Sequence, residues 1–63
     1  MVKLNKIDEL VISTLKSAGT ELTLAEIAAK TGESGKKIFK SLRKLFENKL
    51  IDTQNRKYRI VNP

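Results

Sequence analysis

The segment Ser34–Asn48, SGKKIFKSLRKLFEN, reads as a helix with two unlike sides. At about 100° per residue, Ile38, Leu42, Leu45 and Phe46 fall on one arc, while Lys36, Lys37, Lys40, Arg43 and Lys44 take the rest. One side requires an apolar core and the other an anion.

On its N-terminal side, Gly32 stops a preceding helix and Ser34 is placed to cap the basic one. Lys36 and Lys37 then lie in the first turn, where positive charge opposes the helix dipole, and Lys37 stands where a capping box would carry an acidic residue. An anion held at that helix end would remove the conflict. Further upstream, Thr23 and Glu26 form a capping box and Leu22 with Ile27 a hydrophobic staple, which opens a helix over 24–31 after a short strand, 21–23. The first helix is expected over 5–18. Asn5 caps it, Asp8 sits in its first turn, and Gly19 ends it; Leu4, Ile7, Leu10, Val11, Thr14, Leu15 and Ala18 line its apolar face, with Ile12 off that arc.

On the C-terminal side the pattern becomes extended. Leu50–Thr53 and Lys57–Val61 read as two strands of a hairpin over 50–61 around Gln54-Asn55-Arg56, with Asn55 taking a positive φ. Leu50 and Ile60 are the expected inward positions. A hairpin this short must dock on the helices. The expected class is α+β, mainly α: three helices, a short strand after the first, and a C-terminal two-stranded hairpin.

Sixty-three residues allow one small domain, near the size at which one core just outweighs chain entropy. There is no cysteine and no histidine, so neither a disulfide framework nor the commonest metal ligand and general base is present. No metal or cofactor is expected. The serines lack a histidine partner, no glycine-rich phosphate loop is present, and Asp8-Glu9 suits helix capping better than acid–base work, so no enzyme and no small-molecule substrate are expected. No apolar run approaches the roughly 18 residues of a membrane span. A surface role on anionic lipid would need a bulky apolar helix face, which the core should consume, so no membrane partner is expected.

The net charge is +6, and its placement says more than its size. Residues 1–33 carry four basic and five acidic side chains, net −1, while residues 34–63 carry nine basic and two acidic, net +7. Within the basic helix, Glu47 can pair with Arg43 or Lys44, but nothing acidic on the helix answers Lys36, Lys37 and Lys40. Joined by Arg56 and Lys57 on the hairpin, this one-sided cluster is the footprint of phosphate binding.

Helix, strand, helix, tight turn, helix and basic hairpin is also the element order of the winged helix-turn-helix family. LTLAEIAAKTGES resembles that family's second helix and turn, with Ala28 at the close-packing small position. SGKKIFKSLRKLFENKLI resembles its recognition helix leading into the first wing strand, and NRKYRI its second wing strand. The resemblance spans about Lys6 to Val61. It implies double-stranded DNA as partner, with the third helix in the major groove and the wing against the backbone or minor groove. Carried across by position, Lys36, Lys37, Lys40, Ser41 and Lys44 would face the groove. Ser34 and Gly35 would offer N–H groups to a phosphate, and Gln54, Asn55, Arg56 and Lys57 would be wing contacts. Gln54, Asn55, Ser41 and Arg43 are the side chains suited to base edges; lysines supply charge without arginine's bidentate fork.

The chain departs from the family pattern at two places. Lys49 stands where glycine usually precedes the first wing strand, so a non-glycine residue, with Asn48 the candidate, must make the turn. Phe39 occupies a position often small or polar; it is expected to pack as core or against the second helix, the alternative being an exposed phenyl contact. The functional expectation is a non-catalytic DNA-binding protein, a transcriptional regulator or small chromosomal protein of a prokaryote, cytoplasmic and nucleoid-associated. The competing expectation is a protein-interaction module or weak homodimer, for which Ile12, Phe39 and Val61 would supply an apolar patch.

Overall fold

Three helices and a three-stranded antiparallel sheet follow one another in the order α1 (Lys6–Ala18), β1 (Leu22–Thr23), α2 (Leu24–Thr31), α3 (Gly35–Glu47), β2 (Ile51–Gln54) and β3 (Lys57–Ile60) in a computed structural model that describes residues 3–61. Each boundary has a local cause. At the start of α1 the Asn5 side chain accepts from the Asp8 N–H at 2.9 Å and Asp8 accepts from the Asn5 N–H at 3.0 Å, a reciprocal capping box. Thr23 and Glu26 repeat the arrangement at α2, at 3.2 and 2.9 Å. Gly19 and Gly32 end the two helices with φ of 66° and 74°, a left-handed turn that a side chain disfavours.

The exit from α3 differs from the sequence expectation. Asn48 stays at φ −94°, and Lys49 itself takes the left-handed conformation, with φ 61°. Its N–H donates to the Phe46 carbonyl and the Leu50 N–H to the Leu45 carbonyl, both at 3.0 Å. This pair of bonds is the Schellman closure, which requires the left-handed residue one step beyond the cap. The turn therefore falls on Lys49 for the same reason that glycine is favoured there.

The hairpin is tighter than expected, with only Asn55 and Arg56 between its strands. Both have positive φ, 54° and 65°, as a two-residue type I′ turn demands. β3 is central in the sheet, pairing Ile51↔Ile60 and Thr53↔Tyr58 with β2, and Leu22↔Tyr58 and Thr23↔Lys57 with β1. Thus β1 ties the hairpin to the start of α2, since Thr23 is at once a strand residue and the α2 cap.

The core joins Val11 and Leu15 of α1, Leu22, Ile27 of α2, Ile38, Leu42 and Leu45 of α3, and Ile51. The inward residue of the first hairpin strand is therefore Ile51, 1% exposed, rather than Leu50, which is consumed in closing α3 and only partly buried. Ile60 and Tyr58 lie on the same sheet face and pack partly against the core, as does Ile12. Two residues expected on apolar surfaces are open instead: Phe46 of the α3 arc is 46% exposed and Leu4 lies outside α1. No helix among the described residues is long and apolar enough to cross a membrane.

Candidate functional site

α3 is seated by Ile38, Leu42 and Leu45, so its opposite side is held outward by the same packing that buries them. Lys36, Lys37, Lys40 and Arg43 are all exposed on that side. Two have weak acidic neighbours: Lys37 Nζ is 3.9 Å from Glu33 and Arg43 Nε 3.8 Å from Glu47, both with well-exposed cations. Pairs of this kind are worth at most a few tenths of a kcal/mol and yield readily to a competing anion. No ion pair joins Lys36 or Lys40 to an acidic group among the described residues.

At the head of the helix, the Ser34 hydroxyl accepts from the Lys37 N–H at 3.3 Å, and Gly35 is the first helical residue. The first turn contains no acidic side chain. The dipole conflict expected from Lys36 and Lys37 is thus unrelieved within the helix. Gln54, Asn55, Arg56 and Lys57 are exposed together at the hairpin tip, where the type I′ turn projects Asn55 and Arg56. Lys57 is near enough to Glu26 to help hold that carboxyl below its ordinary value, after the larger effect of hydrogen bonding to the Thr23 backbone and hydroxyl.

Two residues expected in the groove are turned elsewhere. Ser41 is 4% exposed and donates its hydroxyl to Asp8 Oδ1 at 2.6 Å. Lys44 donates to Asp8 Oδ2 at 2.7 Å and to the Lys3 carbonyl at 2.6 Å, leaving its side chain 36% exposed. The flank of α3 that carries them faces the start of α1, where Asp8, 1% exposed, accepts from both. Burial works against the Asp8 charge, but hydrogen bonds from Lys44, Ser41 and the Asn5 N–H outweigh it and hold its carboxyl below the ordinary 3.8. The cluster is therefore an internal clasp between α1 and α3. Asn5, Ile7, Lys37 and Lys40 rim a shallow cleft above it.

Asp8 was legible as a capping residue but not as the partner of Lys44, which is 36 residues away in sequence. Ser41 gave only a partial signal: three residues after Ile38 and four before Leu45, it lies at one edge of the buried stripe, as Phe46 lies at the other. Phe39 is the opposite case. It is 51% exposed, so it does not fill the core, and along α3 it lies one turn from the exposed Lys36 and Arg43. Comparison of the chain with protein-family models, curated proteins and solved structures returns no match.

Proposed function

We propose that this protein binds double-stranded DNA without catalysis, as a winged helix-turn-helix module in which α3 enters the major groove and the β2–β3 hairpin acts as the wing. The observation that carries the reading is the outward cation set: Lys36, Lys37, Lys40 and Arg43 share the exposed side of a helix whose other side is core, and Arg56 and Lys57 sit at the tip of the adjoining hairpin. Six cations with at most weak acidic neighbours face solvent, and a duplex offers phosphates on both sides of the groove that α3 would occupy. Lys36 and Lys37 at the helix head, with the backbone N–H groups after Ser34, suit a phosphate at that end. Lys44 and Ser41 act indirectly, by fixing α3 against α1 through Asp8.

Because most of these groups are lysines, the reading favours affinity over sequence discrimination. A transcriptional regulator and a small chromosomal protein of the nucleoid both fit. If the six cations each neutralise one phosphate, the log of the association constant falls with log salt at a slope of about −5. Titration of a fluorescent duplex at several salt concentrations tests this. A flat dependence, or no binding at low salt, refutes it.

A second reading, a protein-interaction module, draws on the exposed Phe39, Phe46 and Val61. It leaves the cation set without a role. Chemical-shift changes on a DNA titration confined to α1, sparing α3 and the hairpin, would favour it.

A further inference from the structure

α3 carries a second ridge beside its basic face. Lys36, Phe39, Arg43 and Phe46 follow at intervals of three, four and three residues, so cation and phenyl alternate along the flank turned away from the Asp8 clasp. Both phenyl groups are about half exposed. Covering the ridge with a second copy of itself would double its cations, Lys36 and Arg43, rather than answer them with anions. What matches it is a surface presenting anions and small apolar groups side by side. The major groove of duplex DNA has that chemistry: phosphates line its rims, and the thymine 5-methyl is the apolar group on its floor.

We propose that Phe39 packs against thymine methyl groups and gives the interface a preference for thymine at the base steps facing the second turn of α3. The proposal rests on the duplex-DNA reading and adds a specificity element to it. Phe39 is placed for this because residues in the N-terminal part of a groove-bound helix reach the base edges. Phe46 lies about 10.5 Å farther along the axis, seven residues at 1.5 Å each, beyond that part of the helix. Lys36 and Arg43, one turn before and after Phe39, would hold phosphates and fix how deeply the ring enters.

The test compares one thymine-rich duplex with the same duplex in which deoxyuridine replaces thymidine. The substitution removes the methyl group and keeps the hydrogen-bonding edge. The full chain should bind the deoxyuridine duplex about fourfold more weakly for each methyl buried. Phe39→Ala should bind the two duplexes equally, and Phe46→Ala should retain the difference. Equal binding of both duplexes by the wild-type protein overturns the assignment while leaving the duplex-DNA reading intact. Discrimination that survives in Phe39→Ala, or is lost in Phe46→Ala, overturns it as well. Failure to bind either duplex at low salt removes the DNA reading and this proposal with it. Concentration-dependent self-association abolished by Phe39→Ala, without thymine preference, would assign the ridge to a second copy instead.

Discussion

Replacing Asp8 with alanine removes the acceptor on which the α1–α3 clasp converges. Three donors reach that carboxylate: the Ser41 hydroxyl at 2.6 Å, Lys44 Nζ at 2.7 Å and the Asn5 N–H at 3.0 Å. Ser41 is almost wholly buried, so losing its partner costs about 1–3 kcal/mol unless the hydroxyl turns back to a carbonyl one turn earlier, which sets the low end. The back-bond of the capping box adds about 0.5–1 kcal/mol. Lys44 is more than a third exposed and can rehydrate, so its ion pair adds little. The expected loss is about 2–4 kcal/mol. A domain of this size has roughly 3–9 kcal/mol in total, and each kcal/mol moves Tm by about 4–8 °C. Urea and thermal unfolding followed by circular dichroism should therefore show a midpoint lowered by on the order of 10–25 °C. Adding Ser41→Ala to Asp8→Ala should restore about 1 kcal/mol, because no buried hydroxyl is then orphaned. A loss below about 1 kcal/mol for Asp8→Ala, or an identical cost of Ser41→Ala in both backgrounds, would refute the clasp.

The same carboxylate predicts an acid limb: its folded pKa is depressed below 3.8, so its stabilisation is present above that value and is lost as pH falls through the folded pKa. Stability of Asp8→Asn should consequently fall less steeply with acid than that of the wild type, measured by urea unfolding from pH 5 downward. Lys44→Ala should destabilise by about 1–2 kcal/mol by leaving Asp8 short of its charged partner, whereas Lys40→Ala should weaken duplex binding at unchanged Tm. Lys49→Gly should raise stability by about 0.5–1 kcal/mol, since φ 61° costs glycine nothing; a lowered Tm would argue against the Schellman closure. Phe39→Ala should change stability by less than about 1 kcal/mol, half of the ring being already in water, and a loss near 3 kcal/mol would return it to the core.

Helix order and limits were readable because caps and stops are local. Asn5 with Asp8, Thr23 with Glu26, Gly19 and Gly32 each act within four residues, and each stands where the pattern placed it. Flanks were not readable in the same way. Ser41 and Phe46 lie about 70° on opposite sides of the Ile38–Leu42–Leu45 line, so periodicity alone ranks them equally. α1 covers the Ser41 flank and leaves the phenyl open, a choice made by helix packing rather than by spacing. The Lys44–Asp8 pair is invisible for a related reason, as it depends on where α1 crosses α3. In the hairpin, Leu50 and Ile51 were equally apolar, and the register with Ile60 decided between them. The exposed cations Lys36, Lys37, Lys40, Arg43, Arg56 and Lys57 were legible because long charged side chains seek water wherever the backbone allows.

The left-handed residues at Lys49 and Arg56 bear on how this chain could be improved. A β-turn of this type favours glycine after asparagine, and a Schellman closure favours glycine at its left-handed step, yet both positions carry a cation. Consensus or thermostability engineering would replace both and gain on the order of 1–2 kcal/mol. The same two changes would lower the net charge from +6 to +4 and strip the hairpin tip of its arginine. Selection for a more heat-resistant version of this protein would thus drift toward a less basic surface, and selection that keeps these cations would hold the backbone away from its most relaxed sequence.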